Sequence, residues 1–146
     1  MNKVSIKKFN ELSIDELYEL LRLRSEVFVV EQDCVYQDLD NKDQKALHLF
    51  ISDENEITGY TRLFKAGEYF DNASIGRVVV NGKHRDKKVG HLLMTESINA
   101  ILKHFHTSKI TLSAQTYLKK FYESHGFQQV GEGYLEDGIP HIEMKI

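Results

Sequence analysis

Four cationic side chains, Lys83, Arg85, Lys87 and Lys88, crowd one short turn against a single carboxylate, Asp86, in a chain whose formal charge is −3. The turn follows a β-branched run, Ile75-Gly76-Arg77-Val78-Val79-Val80, and leads into Val89-Gly90-His91-Leu92-Leu93-Met94. A helix that starts there presents unpaired N–H groups and the positive end of its dipole. Lysine and arginine at that point make a site for a multiply charged anion, most naturally a phosphate or pyrophosphate. A lysine-rich solvated loop is the plainer alternative. Gly90 has no Cβ to hold a ligand away from the backbone. The pattern is neither a Walker A loop nor G-x-G-x-x-G, which counts against nucleoside triphosphates and dinucleotides.

A second group of reactive types runs from Glu31 to Asp43. It carries Glu31, Asp33, Asp38, Asp40 and Asp43 against Lys42 alone. It is long for a connection in a compact domain, and such loops are often functional. It reads either as a solvated connection or as a wall that attracts a cationic substrate. Arg24, just upstream, either binds a substrate carboxylate or salt-bridges to this loop. Side chains able to accept a proton, directly or through water, are Glu31, Asp38, Asp40, His48 and His141. His48 is one choice of base because an imidazole is neutral near pH 7; a strand histidine satisfied by a neighbour is the competing reading and the commoner one, and His141 has the same two. Cys34 is the lone cysteine. Without a cationic activator a thiol of this kind usually packs. No His, Cys, Asp or Glu spacing resembles a zinc site, so no metal is expected.

The elements that must position these groups follow from pattern. Val4 to Lys7 alternates as a strand. Ser13 and Glu16 form a capping box, with Leu12 and Leu17 placed as a hydrophobic staple. Leu17, Leu20, Leu21 and Phe28 give that helix an apolar face. Leu47 to Ser52 and Ile57 to Phe64 form a hairpin, and Ala73 to Val80 reads as a strand covered on both faces. The helix after the basic turn runs from about Val89 to His104 or Phe105, with Ile98, Ile101, Leu102 and Phe105 as its buried face. Ile110 to Ala114 is a strand, Thr116 to His125 a short helix ended by Gly126, Phe127 to Val130 a strand, and Pro140 to Ile146 the last. The order predicts an α/β or α+β domain with one sheet and helices on both faces.

Length and composition set the frame. The 146 residues suit a single domain over 1–146, and 41% hydrophobic against 28% charged residues is an ordinary globular balance. No apolar run is long enough for a membrane helix, and the N-terminus lacks a signal-peptide core. With one cysteine, the chain fits a reducing, cytoplasmic setting. The net charge argues against nucleic acid as a partner.

The residues also resemble a family. Arg77-Val78-Val79-Val80 followed by Arg85-x-x-Lys88-x-Gly90 looks like the acyl-CoA pyrophosphate motif of the GNAT acetyltransferases. Gln115-x-x-Leu118-x-x-Phe121-Tyr122-x-x-x-Gly126-Phe127 is similar to that family's second landmark. The ElaA-type branch is echoed by Arg24 to Gln32, Cys34, Tyr36, Asp38-Leu39-Asp40, His48 and Leu135-Glu136-Asp137-Gly138-Ile139-Pro140-His141. Three positions depart from the pattern: Lys88 replaces a glycine, Gln115 an asparagine and Val35 a proline.

The resemblance implies a mostly antiparallel central sheet in which the strand of Val78, Val79 and Val80 splays from that of Ile110 to Ala114 to hold acyl-CoA. It implies acetyl-CoA as co-substrate. The pyrophosphate would rest on Arg85, Asp86, Lys87, Lys88, Val89, Gly90 and His91, with Gln115, Phe121 and Tyr122 beside the thioester. Tyr122 would be the general acid that protonates the departing sulfur; its alternative is packing alone. Arg24, Glu31, Asp38, Asp40 and His141 would face a primary amine acceptor, small or peptidic. A non-catalytic acyl-CoA-binding module is the second reading, and pairing of terminal strands in a homodimer stays open.

Overall fold

The computed structural model describes residues 1–146, with the side chains of Asp86 and Lys87 outside what is described. Seven strands form one sheet in the order β1-β2-β3-β4-β5-β7-β6. They are β1 (Lys3–Lys8), β2 (Leu47–Asp53), β3 (Glu56–Phe64), β4 (Ala73–Val80), β5 (Ile110–Gln115), β6 (Gln128–Glu136) and β7 (Ile139–Lys145). Every neighbouring pair is antiparallel except β4 and β5, which run parallel.

Alternation along the strands divides the core between two faces. Leu47, Leu49 and Ile51 of β2 and Leu63 of β3 pack with Val89, Leu93, Met94 and Ile101 of helix α2 (Val89–Phe105). Phe50, Tyr60 and Val79 turn to the opposite face and pack with Leu20 and Leu23 of helix α1 (Ile14–Arg24). Helices therefore cover both faces, as expected. Of the predicted buried face of α2, Ile101 is fully buried and Ile98 and Phe105 pack against the core. Val89, Leu93, Ser97 and Ala100 face the sheet, whereas Leu102 is exposed. Gly59 permits the close packing of α2 on β3: a Cβ there would lie 2.8 Å from Leu93 and 2.9 Å from Val89.

The α1 cap forms as expected. Ser13 Oγ accepts the Glu16 N–H at 3.0 Å and Glu16 Oε1 accepts the Ser13 N–H at 2.9 Å. Past Arg24 the helix widens into a π-helical segment, Ser25–Glu31, which carries Phe28 toward the sheet. The predicted helix over Thr116 to His125 is a 3-10 turn followed by α3 (Lys119–Glu123), closed by Gly126 at φ +96°. β6 is longer than expected. Gly131-Glu132-Gly133 reads as a break in sequence, but an irregularity between Val130 and Tyr134 absorbs it and the strand continues to Glu136.

Candidate active site

β4 and β5 pair only at Ala73 with Ile110 and at Ser74 with Thr111. Beyond these residues the strands part. The cause lies partly in β4, where Arg77 adopts φ +49° and the register against β3 slips between Tyr60 and Arg62. A bulge of this kind bends its strand and increases the local twist. β4 is consequently not covered on both faces over its whole length, as the apolar run suggested; Gly76, Arg77 and Val78 are half-buried at the edge of the gap.

The gap is a small cavity of about 110 Å³. Val78 lines it from β4, Ser113 and Gln115 from β5, and Tyr122 from α3. Glu136 and His141 close it from the β6–β7 hairpin, and Phe28 and Cys34 from the chain after α1. Val79 points away, buried against the α1 face, so only its backbone is available to the gap. The edges of β4 and β5 that face each other past Ser74 and Thr111 have no partner in the opposite strand, and backbone polar groups need partners. An amide-bearing arm laid between them would supply those partners.

At one end of the gap stands the start of α2. Lys88 occupies the position before it, at φ +60°, and makes no side-chain cap. No acidic residue sits in the first turn. The departure from the family pattern thereby gains a physical explanation: the backbone keeps the left-handed conformation that suits glycine, and lysine adopts it there. Arg85 flanks this helix start and ion-pairs with Glu31 at 2.6 Å, both side chains about half exposed. Gly90 lies against Phe121 and Val80, where a Cβ would make ordinary contact, 3.5 Å from Phe121. His91 bonds His125 through Nδ1 and Nε2 at 2.9 Å beside the Phe121 ring. The expected contributions of the Asp86 and Lys87 side chains lie outside the described residues. An uncapped helix start with Arg85 and Lys88 beside it, set at the end of two unpaired strand edges, fits a pyrophosphate joined to an amide-bearing arm.

Tyr122 reaches the gap from α3. It is 4% exposed, packs edge-on to Phe121 at 5.1 Å and to Phe127 at 6.3 Å, and lines the cavity. Burial, with Tyr117 nearby, raises its phenol above the ordinary value, so it stays protonated at neutral pH.

Five residues expected to meet the acceptor or to act on it, Arg24, Glu31, Asp38, Asp40 and His48, stand elsewhere. Arg24 is fully buried and gives Nε to Asp38 at 2.8 Å and Nη1 to Asp43 at 2.8 Å. Arg62 takes Asp40 at 2.8 Å and Asp43 at 3.0 Å. Arg77 takes Asp38 at 2.7 Å, and Tyr36 donates to the same carboxylate at 3.0 Å. Asp38 and Asp40 therefore tie the long loop to the sheet, and Arg24 has no free face for a substrate carboxylate. The loop is neither a solvated connection nor a charged wall.

His48 is the clearest correction. It is fully buried, with Nδ1 2.7 Å from the Tyr60 hydroxyl and Nε2 2.9 Å from the Asp43 carbonyl. Burial lowers its basicity, both nitrogens are used, and it does not line the cavity. It cannot serve as the base. Its competing reading, a satisfied strand histidine, is the correct one. Glu31 is occupied by Arg85.

Of the residues placed on the acceptor side, His141 does line the cavity. It stands in a cluster with Glu136, which the sequence had named in the same string, and with Ser113 and Tyr134, which it had not. Ser113 Oγ lies in hydrogen-bond contact with the Tyr134 hydroxyl and donates to Glu136 Oε1 at 3.3 Å. Tyr134 stacks on His141 at 6.2 Å. The signal available in sequence was the alternation of Tyr134 and Glu136, hidden by the two glycines before them. Among the described residues no group of three or more His, Cys, Asp or Glu is placed to hold a metal, and no helix is long and apolar enough to cross a membrane.

A mostly antiparallel sheet split by a parallel strand pair, with an anion-ready helix start at the end of the split, defines an acyl-CoA-dependent acyltransferase. Residues 9–146 match the family model described as acetyltransferase (GNAT) domain, and the chain belongs to that family. Within it the chain is of the ElaA type. It is 42% identical over 137 residues to protein ElaA of Escherichia coli strain K12, covering 92% of this chain and 90% of that protein. The crystal structure of E. coli ElaA superposes with a TM-score of 0.92 at 39% identity, over 99% of both chains. An acyl-CoA N-acyltransferase from Pseudomonas aeruginosa gives 0.94 at 38% identity, again over 99% of both chains.

Proposed function

We propose that the protein is an acetyl-CoA-dependent N-acetyltransferase that acts on a primary amine, with Tyr122 as general acid. The observation that carries this reading is the position of Tyr122, a protonated phenol between the parted strands and within the same cavity as the polar cluster of β5 and β6. Val78, Val80 and Gln115 would flank the arm, and Arg85, Lys88 and the first N–H groups of α2 would hold the pyrophosphate. When bound, the co-substrate supplies an acetyl thioester. The surrounding side chains keep Tyr122 from solvent, so its proton is retained until a thiolate beside it accepts it.

Tyr122→Phe tests the assignment. It keeps the packing on Phe121 and Phe127 and removes only the hydroxyl. Turnover, followed as free CoA thiol across a panel of amines, should fall by about 100-fold, the lower end of general-acid catalysis. Thermal stabilisation by acetyl-CoA should persist, because a ligand that binds only the folded state raises its stability. Full turnover in this variant would reject the acid role. Absence of any thermal shift at millimolar acetyl-CoA would reject the co-substrate.

A further inference from the structure

We propose that His141 and Glu136 form the acceptor subsite, which takes a cationic primary amine and in which His141 is the general base. The inference rests on the acetyltransferase reading and adds the residues that receive and deprotonate the acceptor.

The hydrogen bonds decide which atom faces the cavity. His141 Nδ1 lies 2.7 Å from the Ile139 carbonyl, which can only accept. Nδ1 therefore carries the proton in the neutral ring, and Nε2 carries the lone pair. Nε2 faces Glu136 Oε2 at 3.5 Å, too long for a direct hydrogen bond. In the neutral ring these are two acceptors 3.5 Å apart, neither able to donate to the other. An alkylammonium supplies what is missing there, a positive charge with several N–H donors. The hydroxyl of Ser113 holds Glu136 by its other oxygen, Oε1, at 3.3 Å, which leaves Oε2 for the acceptor. The Tyr134 ring stacked on His141 fixes the plane of the imidazole. β5 and β7 pair Gln115 directly with His141, so the subsite adjoins the parted strands.

The charged and titratable groups around His141 agree with a cationic guest. Glu136 and Tyr134 come from β6, Asp137 from the adjoining turn, Cys34 from the chain after α1 and Tyr122 from α3. Arg77 is the cation of the cavity wall, and Asp38 already pairs with it at 2.7 Å. The cavity thus presents Glu136 and Asp137 without a free positive charge among its described residues.

The step balances as follows. The ammonium gives one proton to His141 Nε2, and Glu136 stabilises the resulting imidazolium. The freed lone pair forms the C–N bond as the thioester C–S bond breaks. Tyr122 gives its hydroxyl proton to the sulfur. The second proton lost by nitrogen restores Tyr122 through water, and His141 returns its proton to solvent. One proton is released for each amide formed.

The test joins an activity arm with a spectroscopic one. In wild type, nitrogen NMR of the imidazoles should show neutral His141 protonated on Nδ1, with its signals shifting on addition of n-butylammonium. His141→Gln should lower kcat by about 100-fold and abolish the acid limb of the kcat/KM profile. Glu136→Gln should raise the KM for the amine by about 10-fold with a smaller effect on kcat. Both variants should keep the thermal shift with acetyl-CoA. A His141→Gln variant that matches wild type in rate and pH profile overturns this inference and leaves the acetyltransferase reading standing. Where no amine in the panel turns over, neutral His141 protonated on Nε2 overturns it equally. A wild type that is neither active nor stabilised by acetyl-CoA removes the underlying reading instead.

Discussion

The protein holds two polar clusters, each with a histidine, and only one has room for a substrate. Beneath α1, three arginines and three aspartates, Arg24, Arg62, Arg77, Asp38, Asp40 and Asp43, pair with one another. His48 beside them uses both ring nitrogens. Of these buried side chains, Arg62 Nε alone lacks a partner. At the mouth of the parted strands, Ser113, Tyr134, Glu136 and His141 form a chain that ends in two acceptors facing one another. The difference teaches that charge density does not mark a site. A buried charge must be matched within the protein or it costs several kcal/mol, so the densest charges are the most fully committed. Chemistry is available where polar atoms converge and one partner is missing.

The largest effect expected from this contrast is on stability. Arg24→Ala takes one of two arginine partners from each of the buried carboxylates Asp38 and Asp43, and loss of one partner from a buried pair costs about 3–5 kcal/mol. Ser113→Ala at the cavity removes a hydroxyl from a partly solvated chain and should stay within about 1 kcal/mol. Urea unfolding of the two variants measures both. Equal losses would show that the two clusters do the same work.

Acid should separate the clusters more gently. Burial alone would raise the Asp40 carboxyl, but hydrogen bonds and charge from Arg62 hold it down at about 2. Asp43 is also lowered, since Arg24 and Arg62 outweigh its burial. A carboxyl whose folded value is depressed contributes stability above its unfolded value of about 3.9. That contribution is lost as pH falls from about 4 toward 2. Thermal melting should therefore hold steady down to about pH 4 and weaken below it. An Asp40→Asn variant should start less stable and show a shallower fall.

Local chemistry made much of the fold legible. The capping box at Ser13, the alternation of β2 and β3 and the glycine that ends α3 each depend on a few neighbouring residues, and each formed. The Arg85 to His91 turn and Tyr122 were legible as a family pattern, and the structure places them at the two sides of one gap. What sequence could not show was pairing at long range. Asp38 and Asp40 look like a substrate wall until Arg24, Arg62 and Arg77, which lie on three separate elements, are seen to reach them. His48 and His141 carry the same side chain and differ only in what surrounds them. Lys88 stood out only as a replacement for glycine, because a residue letter does not reveal that the backbone retains the left-handed geometry.

The pair Glu31 and Arg85 stands between the two extremes and supplies the smallest effect. It is an ion pair, as in the buried cluster, yet both side chains are about half exposed, as at the cavity. Exposed pairs contribute at most about 1 kcal/mol, so a pyrophosphate that arrives at Arg85 can displace Glu31 at small cost. Glu31→Gln should therefore tighten acetyl-CoA binding by up to about 5-fold, since removing a competitor is worth no more than the exposed pair it breaks. Arg85→Ala should weaken binding by about 10-fold, because a hydrogen bond to a charged group is worth about 1.5–3 kcal/mol. In the double variant the gain from Glu31→Gln should vanish, as residues that share a partner are not additive. Calorimetric titration of the three variants with acetyl-CoA gives the coupling directly. If Glu31→Gln tightened binding equally with and without Arg85, Glu31 would be repelling the phosphates through space, and the pair would belong with the open cluster and not between the two.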